Sequence, residues 1–79
     1  MRVFFFAQLK EATGCDAAEL AVTSPVNAAQ LWTELLHRFP ALAAHRANVR
    51  LARNWEFATP DATFAAADEI ALIPPVSGG

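Results

Sequence analysis

Asn27-Ala28-Ala29-Gln30-Leu31-Trp32-Thr33-Glu34-Leu35-Leu36-His37-Arg38-Phe39-Pro40 is the stretch whose reading decides the fold. Asn27 as N-cap with Gln30 three residues on forms a capping-box pattern, in which each side chain satisfies a main-chain N–H of the other residue. Val26 before the cap and Leu31 at the fourth helical position fit a hydrophobic staple. Leu31, Leu35 and Phe39, with Ala28, form one apolar stripe at helical spacing, so this helix has one face to bury. Pro40 stops it, because proline lacks the N–H donor and restricts Phe39.

The segments on either side supply a layer for that face. Upstream, residues 2–7 are a β-favouring run carrying Val3, Phe4, Phe5 and Phe6. Residues 8–12, with Leu9, Lys10 and Glu11, favour a short helical turn that Thr13-Gly14 breaks. Residues 16–22 alternate weakly, Ala18, Leu20 and Val22 on one side and Glu19 on the other, as a second strand antiparallel to the first. Downstream, residues 41–47 add a short helical turn, residues 49–53 read as a third strand and residues 55–58 as a very short fourth. Thr59-Pro60-Asp61 is a turn. The final strand, residues 70–73, follows Asp68-Glu69 and is ended by Pro74-Pro75. The order ββ-α-β(β)-β predicts an α+β domain with four to five strands packed on one main helix. With no internal repeat, linker or low-complexity block, residues 1–79 are expected to form a single domain, with 74–79 as a protruding tail.

Composition sets the scale of the core. The 79 residues are 54% hydrophobic, but 18 of them are alanines, which bury little area each. Packing must come from eight Leu, six Phe, five Val, two Ile and two Trp. That suffices for one sheet with a helix across it and leaves little for a deep pocket. A net charge of −2 argues against a nucleic-acid surface, and Asp and Glu bracket the arginines at 38, 46, 50 and 53. No stretch reaches 18 apolar residues, and the N-terminus lacks the pattern of a signal peptide, so neither a membrane partner nor export is expected. Cys15, the single cysteine, is compatible with a reducing cytoplasm, and its place beside Gly14 reads as incidental.

No His-Glu-x-x-His, Cys-x-x-Cys, Walker-type loop or Gly-x-Ser-x-Gly occurs. His37 and His45, eight apart across Pro40, read as surface residues, so no metal site is expected. Asp68 and Glu69 are adjacent at a strand start and point to opposite faces, which makes a poor acid/base pair and favours a solvated turn.

The C-terminus is different. Pro74 and Pro75 stiffen the exit from the last strand. The four residues beyond span roughly 13 Å at about 3.3 Å each. Gly78 and Gly79 carry no side chain and suit a narrow channel in which a Cβ would clash. A terminal carboxylate, ionised at neutral pH with an ordinary pKa of about 3.5, is a weak electrophile, and its activation needs another enzyme.

Ile73-Pro74-Pro75-Val76-Ser77-Gly78-Gly79 resembles the C-terminal signature of molybdopterin synthase small subunits. Phe5-Phe6-Ala7 followed by Lys10-Glu11 resembles that family's opening strand and turn. Asn54 falls where such sequences carry an Asn after the third strand, and Asp68-Glu69-Ile70 resembles their Asp-Glu-Val. The similarity spans the whole chain. There are two departures: Ala67 stands where the family commonly has Gly, so its turn should avoid a positive φ, and Arg53 occupies a position that is often apolar.

The resemblance implies a β-grasp, ubiquitin-like fold and a carrier with no active site or bound cofactor of its own. An E1-like adenylyltransferase would use ATP and Mg²⁺ to adenylate Gly79, and a sulfur donor system would convert it to a thiocarboxylate. The tail would then enter the large subunit of molybdopterin synthase and give its sulfur to cyclic pyranopterin monophosphate, with Gly78 providing access. A sulfur carrier for thiamine thiazole synthesis and a non-carrier ubiquitin-like binding module are the alternatives. Strand alternation places Val3, Phe5, Ile70 and Leu72 in the core and leaves Phe6 and Ile73 outside. Those two, with Phe57, Lys10 as a rim charge and the tail residues Pro74, Pro75, Val76 and Ser77, are the expected partner-binding set.

Overall fold

The structure, a computed structural model, describes residues 1–74. The chain runs through β1 (Arg2–Phe5), α1 (Gln8–Thr13), β2 (Ala17–Glu19), β3 (Val26–Asn27) and α2 (Ala28–Arg38). Two 3₁₀ turns, Pro40–Ala44 and Arg46–Asn48, lead to β4 (Arg50–Arg53), β5 (Glu56–Phe57), β6 (Thr63–Phe64) and β7 (Glu69–Ile73). Five strands form one mixed sheet in the order β2-β1-β7-β4-β5. The central pair, β1 and β7, is parallel, with Val3 opposite Ile70 and Phe5 opposite Leu72. The other pairings are antiparallel. This is the expected mixed sheet with one main helix across it.

The capping box is present in full. Gln30 N donates to Asn27 Oδ1 at 2.8 Å, and Asn27 N donates to Gln30 Oε1 at 2.9 Å. At the other end, Phe39 N still reaches Leu35 O at 2.7 Å before Pro40 starts the 3₁₀ turn. Arg38 donates to the carbonyl of Glu19 and so ties the end of α2 to β2. α2 buries Leu31 and Leu35 as its stripe requires, together with Trp32, which lies beside the stripe and also enters the core. These meet the inner face of the sheet, where Val3, Phe5, Ile70 and Leu72 are buried as alternation expected. Phe39 packs edge-on to Phe5, ring centroids 5.3 Å apart. Full burial is worth roughly 1.5–3 kcal/mol for each large aliphatic or Phe side chain, so this layer supplies most of the fold's driving force.

The structure corrects the sequence reading in several places. Val26-Asn27 pairs with Thr63-Phe64 as a second, two-stranded sheet, and this places Phe64 in the core. Segment 41–47 is helical as expected, in the form of 3₁₀ turns, and what the sequence reading lacked is that they send Leu42 into the helix-side core. Trp55 belongs to a turn and not to a strand. Arg53 pairs with Ile70 and so sits on the helix side of the sheet at the end of β4, where Nη1 donates to Thr63 O at 2.6 Å. That bond explains how a cation stands at this position. Ala67 lies outside the set of residues with positive φ, as the missing glycine required. No helix among the described residues is long and apolar enough to cross a membrane.

Candidate functional site on the open face of the sheet

One helix covers one face of the sheet. The other face carries Phe4 and Ala71, paired across β1 and β7, and Ala52, paired with Ala71 on one side and Phe57 on the other. Ile73 and Arg50 form the next outward pair. Small residues at 52 and 71 lower the middle of this face, and aromatic side chains rise around it. Ala52, Trp55, Phe57 and Ile73 line a hollow of about 100 Å³. Trp55 leans on Phe4 at 5.2 Å and meets Phe6 edge-on at 6.4 Å. Phe6, Trp55 and Phe57 are 38%, 56% and 57% exposed, an unusual concentration of apolar area for a domain this small.

Trp55 is held there by backbone chemistry. Arg53 pairs with Glu56, so Asn54-Trp55 is a two-residue hairpin loop. Both residues have positive φ, 51° and 70°, as a type I′ turn requires. Asn tolerates that conformation well, and Trp does not, so the turn needs outside support. Asn54 provides it: Nδ2 donates to Asp68 Oδ1 at 3.1 Å, and Oδ1 accepts from Glu69 N at 3.0 Å. Trp55 Nε1 then donates to Glu69 Oε1 at 3.1 Å. Asp68-Glu69 follows a turn and stays open to solvent, as expected, and it also clamps the β4–β5 turn to the start of β7. The Ala65 N–H, bonded to Asp68 Oδ2 at 2.8 Å, and then the Asn54 amide hold the Asp68 carboxyl below the usual range. Asp61 is also lowered, mainly by the Thr59 hydroxyl at 2.7 Å, within the turn expected at 59–61.

The expected site residues fall in three places. Phe6, Phe57 and Ile73 surround the open face, the last of them half-buried. Lys10 is exposed on α1, beside a shallow depression shared with Glu11, Gly14, Cys15 and Asp16 and not beside the Trp55 hollow. Pro74 is half-buried at the end of the described chain, and Pro75, Val76, Ser77, Gly78 and Gly79 lie outside the described residues. Phe4, Arg50 and Trp55 complete the face and were not singled out from the sequence. The available signals were the alternation that sends Phe4 outward with Phe6, and an aromatic residue directly after Asn54.

A wider depression of about 640 Å³ on the helix side is lined mostly by alanines with Trp32, Arg46 and Pro60. No group of three His, Cys, Asp or Glu among the described residues is placed to hold a metal ion. His37 is exposed and His45 half-buried. The described surface offers an apolar platform without an acid/base constellation.

Comparison with known proteins gives this platform its context. The sequence model of the ThiS family matches residues 3–79. The molybdopterin synthase sulfur carrier subunit of Arabidopsis thaliana is 38% identical over 79 residues, covering 100% of this chain and 82% of that protein. The subunit of the same name from Escherichia coli (strain K12) is 35% identical over 80 residues, covering 100% and 99%. In structure, the chain is similar to small archaeal modifier protein 1 of Haloferax volcanii, with a TM-score of 0.84, 31% identity and coverage of 99% and 97%. The β-grasp expectation holds. The chain belongs to the ThiS family and, within it, to the molybdopterin synthase sulfur carrier subunits.

Proposed function

We propose that this chain carries sulfur on Gly79 for molybdenum cofactor biosynthesis. In an E1-like adenylyltransferase with Mg²⁺, the Gly79 carboxylate attacks the α-phosphate of ATP and pyrophosphate leaves, and a sulfur donor system then displaces AMP to leave a thiocarboxylate. The large subunit of molybdopterin synthase receives the tail, and the sulfur passes to cyclic pyranopterin monophosphate. A thiocarboxylate presents a nucleophilic sulfur at neutral pH without a cysteine. The base, the oxyanion donors and the pterin pocket can therefore all belong to the partner. We place this chemistry in the cytoplasm, where a lone thiol such as Cys15 stays reduced.

The observation that carries this reading is the family match, which runs through Ile73-Pro74-Pro75-Val76-Ser77-Gly78-Gly79 to the last residue. In this reading Phe6, Phe57, Ile73 and Pro74 through Ser77 dock the partner, with Lys10 at the rim, and Gly78 lets the tail pass where a side chain would clash. The test is deletion of Gly79, followed by circular dichroism and a sulfur-transfer assay with the large subunit. The expected result is an unchanged fold and no transfer. Full transfer by the truncated chain would sink the reading, and transfer by the full chain only when a thiazole-forming partner replaces the large subunit would redirect it to thiamine synthesis.

A further inference from the structure

Arg50 stands at the end of the open face where β7 finishes, opposite Ile73. Its guanidinium carbon lies 3.8 Å from the centroid of the Phe57 ring, well within the range of a cation–π contact. Stacking of this kind fixes the plane of the guanidinium while leaving its in-plane N–H donors free to meet an acceptor. Among the described residues the one ion pair is Arg2–Glu19, and the Arg50 guanidinium donates no hydrogen bond. The carboxylates on this face, Glu69 and Glu19, are both at the opposite end of the sheet, where Trp55 engages the first and Arg2 the second. The open face is therefore polarised: at the Ile73 end a cation stacked on Phe57 and without an ion-pair partner among the described residues, a hollow floored by Ala52 beside it, and engaged carboxylates at the end where β7 begins.

We propose that Arg50 and the Ala52 hollow are a specificity element. They recognise a protein partner that presents a carboxylate side chain next to a projecting apolar one. The carboxylate takes a bidentate pair from Arg50, and the apolar side chain fills the hollow between Trp55, Phe57 and Ile73. This rests on the carrier reading and adds to it the chemistry by which the partner's docking face is chosen. An apolar face alone accepts many partners. A fixed cation beside it raises the encounter rate of an acidic face and rejects a basic one.

The test is the affinity of the full chain for its large synthase subunit, measured by titration calorimetry at about 50 mM and about 300 mM salt. Arg50→Glu should weaken binding at least about 30-fold at low salt, with the gap closing as salt rises, the direction screening requires. Arg50→Leu, which keeps Phe57 covered, should weaken binding about 5- to 10-fold and reduce the salt dependence. Ala52→Leu should fill the hollow and weaken binding about tenfold while the isolated domain still melts cooperatively. Arg50 variants that bind within twofold of the parent chain, with the same salt dependence, would overturn the inference and leave the carrier reading standing. Absence of binding by the parent chain would overturn both.

Discussion

Asn54 and Glu69 exchange hydrogen bonds in both directions at the end of the sheet where β7 begins: Asn54 N donates to Glu69 O at 2.7 Å, and Glu69 N donates to Asn54 Oδ1 at 3.0 Å. The exchange fixes a left-handed turn to the start of the central strand β7, and with it the position of Trp55. Removing the side chain should therefore do two separable things. Asn54→Ala loses the amide bonds and places Ala at positive φ, for about 2 kcal/mol of destabilisation. Asn54→Gly loses the same bonds but accepts the φ, for about 1 kcal/mol. Chemical denaturation of the two variants gives the comparison, and equal losses would show that the conformation contributes nothing.

Asp68 makes the same clamp pH-sensitive. Its carboxylate is stabilised in the folded state by the Ala65 N–H and the Asn54 amide, so its folded pKa lies below the unfolded one. Stability from this source is fully present above the unfolded value of about 4 and is lost as pH falls through the folded value. Asp68→Ala should cost about 1 kcal/mol at neutral pH, and its deficit should shrink as the parent chain is acidified below about pH 4. A deficit constant down to low pH would show that the charge of Asp68 has no part in the clamp.

Ala7 has φ 51° and ψ −128°, and Leu9 N closes the turn on Phe6 O at 2.9 Å. This is the first central position of a type II′ turn, a conformation suited to glycine. Such strain is worth of order 1–3 kcal/mol, against about 0.5–1 kcal/mol for the extra backbone freedom of glycine when unfolded. Ala7→Gly should thus raise stability by about 1 kcal/mol, or roughly 4–8 °C in melting temperature for a domain of this size. A lowered melting temperature would show that the turn carries no strain.

The sequence was legible where a signal repeats. The capping box at Asn27 and Gln30, the Leu31–Leu35 stripe, the stop at Pro40, and the alternation of β1 and β7 each rest on several residues in register. Elements with no room for a period were missed: β3 and β6 have two residues each, and their pairing is decided by the burial of Phe64. Trp32 sits one residue off the stripe and is drawn inward by size. The hairpin at Asn54-Trp55 lacks the glycine that announces such turns, and its support comes from Asp68 and Glu69, fourteen or fifteen residues away. The platform was therefore half visible: Phe6, Phe57 and Ile73 follow from the residues and their resemblance, whereas Trp55 and Arg50 come into place only through tertiary contacts.

Phe6 and Ile73 test the platform as a docking surface. Phe6→Asp and Ile73→Asp place a charge on the open face without entering the helix-side core. Each should weaken binding to the large synthase subunit at least about tenfold, a loss of about 1.4 kcal/mol or more, while thermal melting of the isolated chain stays cooperative. An unfolded Ile73→Asp chain would show that this half-buried residue belongs to the core. A folded Phe6→Asp chain with undiminished affinity would place the docking surface elsewhere.

The claim that Gly79 carries sulfur is tested most directly by the intact mass of the full chain after incubation with an E1-like adenylyltransferase, ATP, Mg²⁺ and a sulfur source. The expected spectrum shows one oxygen exchanged for one sulfur, with the change confined to the peptide that ends in Gly78-Gly79 and absent from a chain lacking Gly79. An unchanged mass, or a sulfur added on the peptide containing Cys15, would contradict it.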